Sequence, residues 1–160
     1  MDIENLPEEI RDFTEPGTIS ANKFCGYSLL GIIGIIILSA FVHNFFPTVK
    51  HSIELVQALL VCSTALMGLT GVMIIETKKA KVRQLPDGWE RVTEINRICS
   101  LTRALVFLKW SFLVSIFSII FSCWWLANDT SFCMAGAFFA FVGQLYFLLF
   151  ALIFSDFLPS

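Results

Sequence analysis

Four long apolar runs, at 24–46, 55–75, 104–127 and 132–154, limit this chain more than any other feature of its sequence. At about 1.5 Å of rise per residue, each is long enough as a helix to cross the roughly 30 Å of hydrocarbon in a bilayer. Within lipid an isolated strand leaves its backbone hydrogen bonds unmade, so each run is expected to be helical. The only formal charge in all four is Lys109. Soluble domains carry about 45–50% apolar and about 25% charged residues. This 160-residue chain has 56% and 15%, with mean hydropathy +0.76, which leaves too little polar surface to coat a soluble globule. The expected fold is all-α, an integral membrane four-helix bundle. Only Asn128, Asp129, Thr130 and Ser131 separate the last two runs, so three spans with a re-entrant final segment is the alternative topology.

Orientation follows from the basic residues. Lys78, Lys79, Lys81, Arg83, Arg91, Arg97 and Arg103 fall between spans two and three, whereas the loops on the other side hold only Lys50. The positive-inside rule then puts loop 76–103 and both termini, 1–23 and 155–160, in the cytoplasm, as expected for a multi-pass protein of the cell inner membrane. The loop reads as a helical hairpin. Span two continues toward Arg83, Pro86 and Gly88 turn the chain, and Asp87 with Glu90 forms a capping box for a helix running into span three. Residues 1–23 carry Asp2, Glu4, Glu8, Glu9, Asp12 and Glu15 against Arg11 and Lys23, the reverse of the basic start of a signal peptide. Ile3, Leu6, Ile10 and Phe13 recur at helical spacing, predicting a short amphipathic helix that ends at a Pro16-Gly17 turn.

Ser111, Ser115, Ser118 and Ser122 are spaced four, three and four apart and share one face of span three. Small polar residues let helices approach closely in lipid and bond across the contact. Gly136, Ala140 and Gly143 form a matching stripe on span four, and Gln144 is expected to bond within the bundle, with a serine of span three as candidate partner. Ala58, Cys62, Ala65 and Gly68 on span two, with Gly31 and Gly34 on span one, are expected to face inward too, leaving Phe138 and other large residues toward lipid. A serine-lined pore is the rival reading. Lys109 is expected to snorkel to the headgroups, and Trp110, Trp124 and Trp125 to form aromatic belts.

Chemistry-bearing groups are sparse. Five cysteines (Cys25, Cys62, Cys99, Cys123, Cys133) and two histidines lack metal-ligand spacing, so neither metal nor cofactor is expected. An outer disulfide between Cys123 and Cys133 is conceivable across the last hairpin. No span contains Asp or Glu, and Gly26-Tyr27-Ser28 lacks the rest of a nucleophile elbow, so no enzyme activity and no carboxylate-coupled export is expected. A net charge of -2 argues against nucleic acid. The candidate partner contacts are Lys78, Lys79, Lys81 and Arg83 inside, and His51, Glu54 and Asp129 outside. Partners beyond lipid are then another membrane protein, whether host, incoming phage or toxin component, or further copies of this chain.

In size, span number, short loops and scarcity of reactive groups the whole chain resembles the superinfection-exclusion proteins that temperate phages place in the host inner membrane. It is also similar to the immunity proteins that guard that membrane against bacteriocins. The resemblance implies protection by protein–protein contact without turnover. A structural subunit of a membrane complex, or a small channel or transporter, is the contrasting expectation.

Overall fold

The computed structural model describes residues 8–45, 53–80, 89–128 and 131–156, with side chains placed at 17–38, 53–79, 93–128 and 133–154. These residues form four helices and no strand: α1 (Glu8–Phe45), α2 (Ile53–Ala80), α3 (Trp89–Asn128) and α4 (Ser131–Asp156). Each contains a stretch long and apolar enough to cross a membrane. The chain is therefore a multi-pass membrane protein whose outer surface meets the lipid bilayer. At about 1.5 Å per residue α2 and α4 measure roughly 40 Å, whereas α1 and α3 approach 60 Å and overshoot the hydrocarbon.

The helix α1 corrects one expectation. Instead of turning at Pro16-Gly17, it runs unbroken from Glu8 to Phe45. A proline inside a helix removes one backbone hydrogen bond and crowds the preceding turn, at a cost of about 3 kcal/mol. Docking beyond it offsets that cost, because Thr18, Ala21 and Cys25 lie buried directly after the proline. The proposed amphipathic positions Ile3, Leu6, Ile10 and Phe13 have no described side chains, and the turn with Pro86, Asp87 and Gly88 lies outside the described residues. The α3 helix does run from Trp89 through the apolar stretch without interruption.

The centre of the molecule is the α3/α4 hairpin, packed along most of its length. Two glycines of α4 permit close approach, one to α3 and one to α1. A Cβ at Gly136 would sit 2.9 Å from the Phe121 ring, and one at Gly143 would sit 2.7 Å from the terminal methyl of Ile32 on α1. The α2 helix lies mainly against α3 and touches α4, and α1 lies against both. Among the described residues α1 and α2 do not meet. Their contact faces are narrow stripes: Thr18, Ala21, Cys25 and Ile36 are buried on α1, and Val56, Leu59, Ser63 and Thr70 on α2. Phe24 of α1 enters an aromatic cluster with Phe107 of α3 and Phe150 of α4, at centroid distances of 6.1 and 5.6 Å.

The inward-facing assignment of small residues holds for α3 and α4 and fails for α1 and α2. Ala58, Cys62, Ala65 and Gly68 are exposed on the outer surface of α2. Gly31 and Gly34 are exposed on α1, and a Cβ added at either of them, or at Gly68, would meet nothing within 4 Å. The surface α2 turns inward carries Val56, Leu59, Ser63 and Thr70 instead. Trp125 also departs from its belt position: it is buried with Val56 and Cys133. Trp124 is exposed, as are Lys109 and Phe138.

Candidate functional site

The feature with the most chemistry is a polar seam where α2, α3 and α4 converge. Ser111, Ser115, Ser118 and Ser122 of α3 are all fully buried, as are Ser63 and Thr70 of α2 and Gln144 of α4. The serines divide their roles by position. Ser111 Oγ donates to the Gln144 carbonyl at 3.0 Å and Ser118 Oγ to the Ala137 carbonyl at 3.1 Å, both across to α4. Ser115 and Ser122 turn back one turn on their own helix, donating at 2.8 Å to the carbonyls of Ser111 and Ser118. Such back-bonding satisfies a buried hydroxyl within its own helix.

The link to α2 is a hydroxyl pair. Ser63 Oγ lies 2.8 Å from Ser118 Oγ. A serine has one hydroxyl proton, and Ser118 directs its own at Ala137, so Ser63 is the donor between them. The Gln144 side chain reaches the same helix, Nε2 donating to the Ser63 carbonyl at 3.4 Å. Its amide thus engages span two, and the α3 contact at this position runs through its backbone carbonyl. Gln144 Oε1 is buried without a hydrogen-bond partner. Each seam hydroxyl acts on a carbonyl or another hydroxyl, an arrangement suited to holding three helices at short range.

Gly136, Ala140 and Gly143 lie buried on α4 beside this seam. Sequence pattern alone missed Ser63 and Thr70, although their spacing of seven on one helix was a usable signal. Of the candidate partner contacts the structure describes Lys78, Lys79 and Glu54, at opposite ends of α2. Lys78 and Lys79 are exposed near the end of α2, where positive charge complements the helix dipole, and Lys79 pairs with Glu76 at 2.8 Å. Glu54 is exposed in the first turn of α2, and Lys81, Arg83, His51 and Asp129 lie outside the described residues. On the part of α3 preceding the membrane stretch, Arg97 forks onto Glu94, Nε to Oε2 at 2.9 Å and Nη2 to Oε1.

The conceivable outer disulfide is not formed. Cys123 and Cys133 are both free thiols, Cys123 on the outer surface and Cys133 buried against Val56 and Trp125. Among the described residues no three His, Cys, Asp or Glu side chains converge as metal ligands. Comparison of the chain with protein-family models, curated proteins and solved structures gives no match.

Proposed function

We propose that this protein protects the cell that makes it by contact within the inner membrane and without chemical turnover, in its most specific form by excluding superinfecting phage. The observation that carries this reading is the outward placement of small residues on α2, Ala58, Cys62, Ala65 and Gly68, beside a seam whose hydroxyls already serve its own helices. In lipid, helices associate through surfaces that permit close backbone approach. A helix that spends its small residues outside the bundle presents such a surface to another membrane protein. The basic set Lys78, Lys79, Lys81 and Arg83 is the companion contact on the cytoplasmic side, and the resemblance to exclusion and immunity proteins supplies the biological setting.

Expression of the chain in a susceptible bacterium, followed by phage and bacteriocin challenge, tests this. Phage are expected to adsorb while their DNA fails to enter or establish. Protection against one pore-former with normal phage growth assigns immunity instead. If neither challenge is blunted and the chain co-purifies with a resident complex in fixed ratio, it is a structural subunit. Ala65→Leu is expected to abolish protection while leaving the protein in the membrane. The orientation is read with phosphatase fusions, expected to be inactive after Arg91 and active after Lys50.

A further inference from the structure

The inner ends of α1, α3 and α4 do not close completely. Gly17, Ser20, Ala21 and Phe24 from α1, Arg103 and Phe107 from α3, and Phe150 and Phe154 from α4 enclose a cavity of about 380 Å³. That volume lies in the range of small-ligand sites, about 300–1,000 Å³. Its wall is aromatic: Phe107 stacks on Phe154 at 5.4 Å and on Phe150 at 5.5 Å, and Phe24 closes the α1 side. Its polar end is the Arg103 guanidinium. Gly17 lets that group lie against α1, since a Cβ there would stand 2.7 Å from Arg103 Nε. Among the described residues the ion pairs are Lys79–Glu76 and Arg97–Glu94, and Arg103 has no carboxylate partner.

Depth places the charge at the bilayer surface. Arg103 precedes Asn128 by 25 residues, about 38 Å of helix against roughly 30 Å of hydrocarbon. Lys23 and Lys109, both exposed, and Trp110, which donates to Asn22 Oδ1 at 3.1 Å, lie about 9 Å further along the helices, at the edge of the hydrocarbon. An arginine fork matches the oxygens of a phosphate, and aromatic rings above it match a hydrocarbon chain. Basic pockets between membrane helices are suited to anionic headgroups.

We propose that this groove binds one anionic phospholipid from the surrounding leaflet, its phosphate on Arg103 and an acyl chain against Phe24, Phe107, Phe150 and Phe154. The site is independent of the protective role proposed above and stands or falls on binding alone. Purified protein is incubated with mixed micelles of phosphatidylglycerol or phosphatidylcholine, or with inorganic phosphate alone, and retained lipid is counted by native mass spectrometry. Preferential retention of one phosphatidylglycerol is expected, with no effect of inorganic phosphate on its own. Arg103→Gln, an exposed position that leaves the helix intact, is expected to weaken retention about tenfold, the scale of one charge-assisted hydrogen bond. Arg103→Lys is expected to restore part of it. Lys109→Gln removes a charge outside the groove, about 9 Å further along α3, and is expected to change nothing. Equal loss in Lys109→Gln and Arg103→Gln, equal retention of phosphatidylcholine, or unchanged binding in Arg103→Gln overturns the proposal.

Discussion

The α3/α4 hairpin and the pair α1 and α2 are built from similarly apolar sequence but packed in different ways. In the apolar stretch of α3, 44% of residues are buried, and in that of α4, 39%; the figure is 17% for both α1 and α2. The hairpin interlocks serines of one helix with glycines and alanines of the other, and its hydroxyls cross to the partner's carbonyls. The outer helices touch it through single stripes, and Gly31 and Gly34 of α1 and Gly68 of α2 face away. The small residues of α3 and α4 face inward where serine hydroxyls cross to the partner helix, whereas those of α2 at Ala58, Cys62, Ala65 and Gly68 do not. A stripe on one helix does not determine which way that helix turns.

Substitutions can break this comparison. The largest effect is expected from Ser118→Leu, which adds bulk at a fully buried contact and removes the bonds to Ala137 and Ser63. Overpacking costs about 1–3 kcal/mol, measurable as a lowered midpoint of unfolding in detergent. Ala65→Leu on the outer face of α2 is expected to stay within about 0.5 kcal/mol. Similar losses at both positions would erase the distinction between hairpin and outer helices. Ser63→Ala removes one interhelical hydroxyl bond and leaves the Ser118–Ala137 bond in place. Such bonds average about 0.6 kcal/mol in membranes, so a loss above about 2 kcal/mol would make α2 as integral as α4. Labelling by a membrane-permeant maleimide sharpens the same contrast. Cys62 and Cys123 are expected to react quickly, and Cys25 and Cys133 slowly. Fast reaction at Cys25 would mean α1 is not docked. The smallest effect is expected from Phe138→Leu on the exposed surface of α4, within about 0.5 kcal/mol by the same melting assay.

The pattern of legibility follows from the solvent. Four helices were readable because length and apolarity are dictated by the bilayer, and the serine face of α3 because four polar residues share one helical surface in an apolar setting. The inward side of α2 was not readable from its alanines and glycine. Lipid tails are as apolar as Leu, so hydrophobicity does not separate inside from outside. The available signal was polar: Ser63 and Thr70 lie on the buried stripe, while Ala58, Ala65 and Gly68 lie off it. Pro16-Gly17 read as a turn because local propensity favours one, but tertiary docking of Thr18, Ala21 and Cys25 held the helix together. The groove at Arg103 draws on residues from three helices spread over most of the sequence and has no local signature at all.

The lack of contact between α1 and α2 has a consequence for biosynthesis. A ribosome delivers these two helices first, yet they offer each other nothing to hold among the described residues. Both find their partners only when α3 and α4 emerge, so insertion and assembly run in opposite order along the chain. During translation the bilayer itself holds α1 and α2 as separate spans, and cooperative structure begins with the α3/α4 hairpin. Loss of that C-terminal hairpin would strand two inserted helices with no bundle to join.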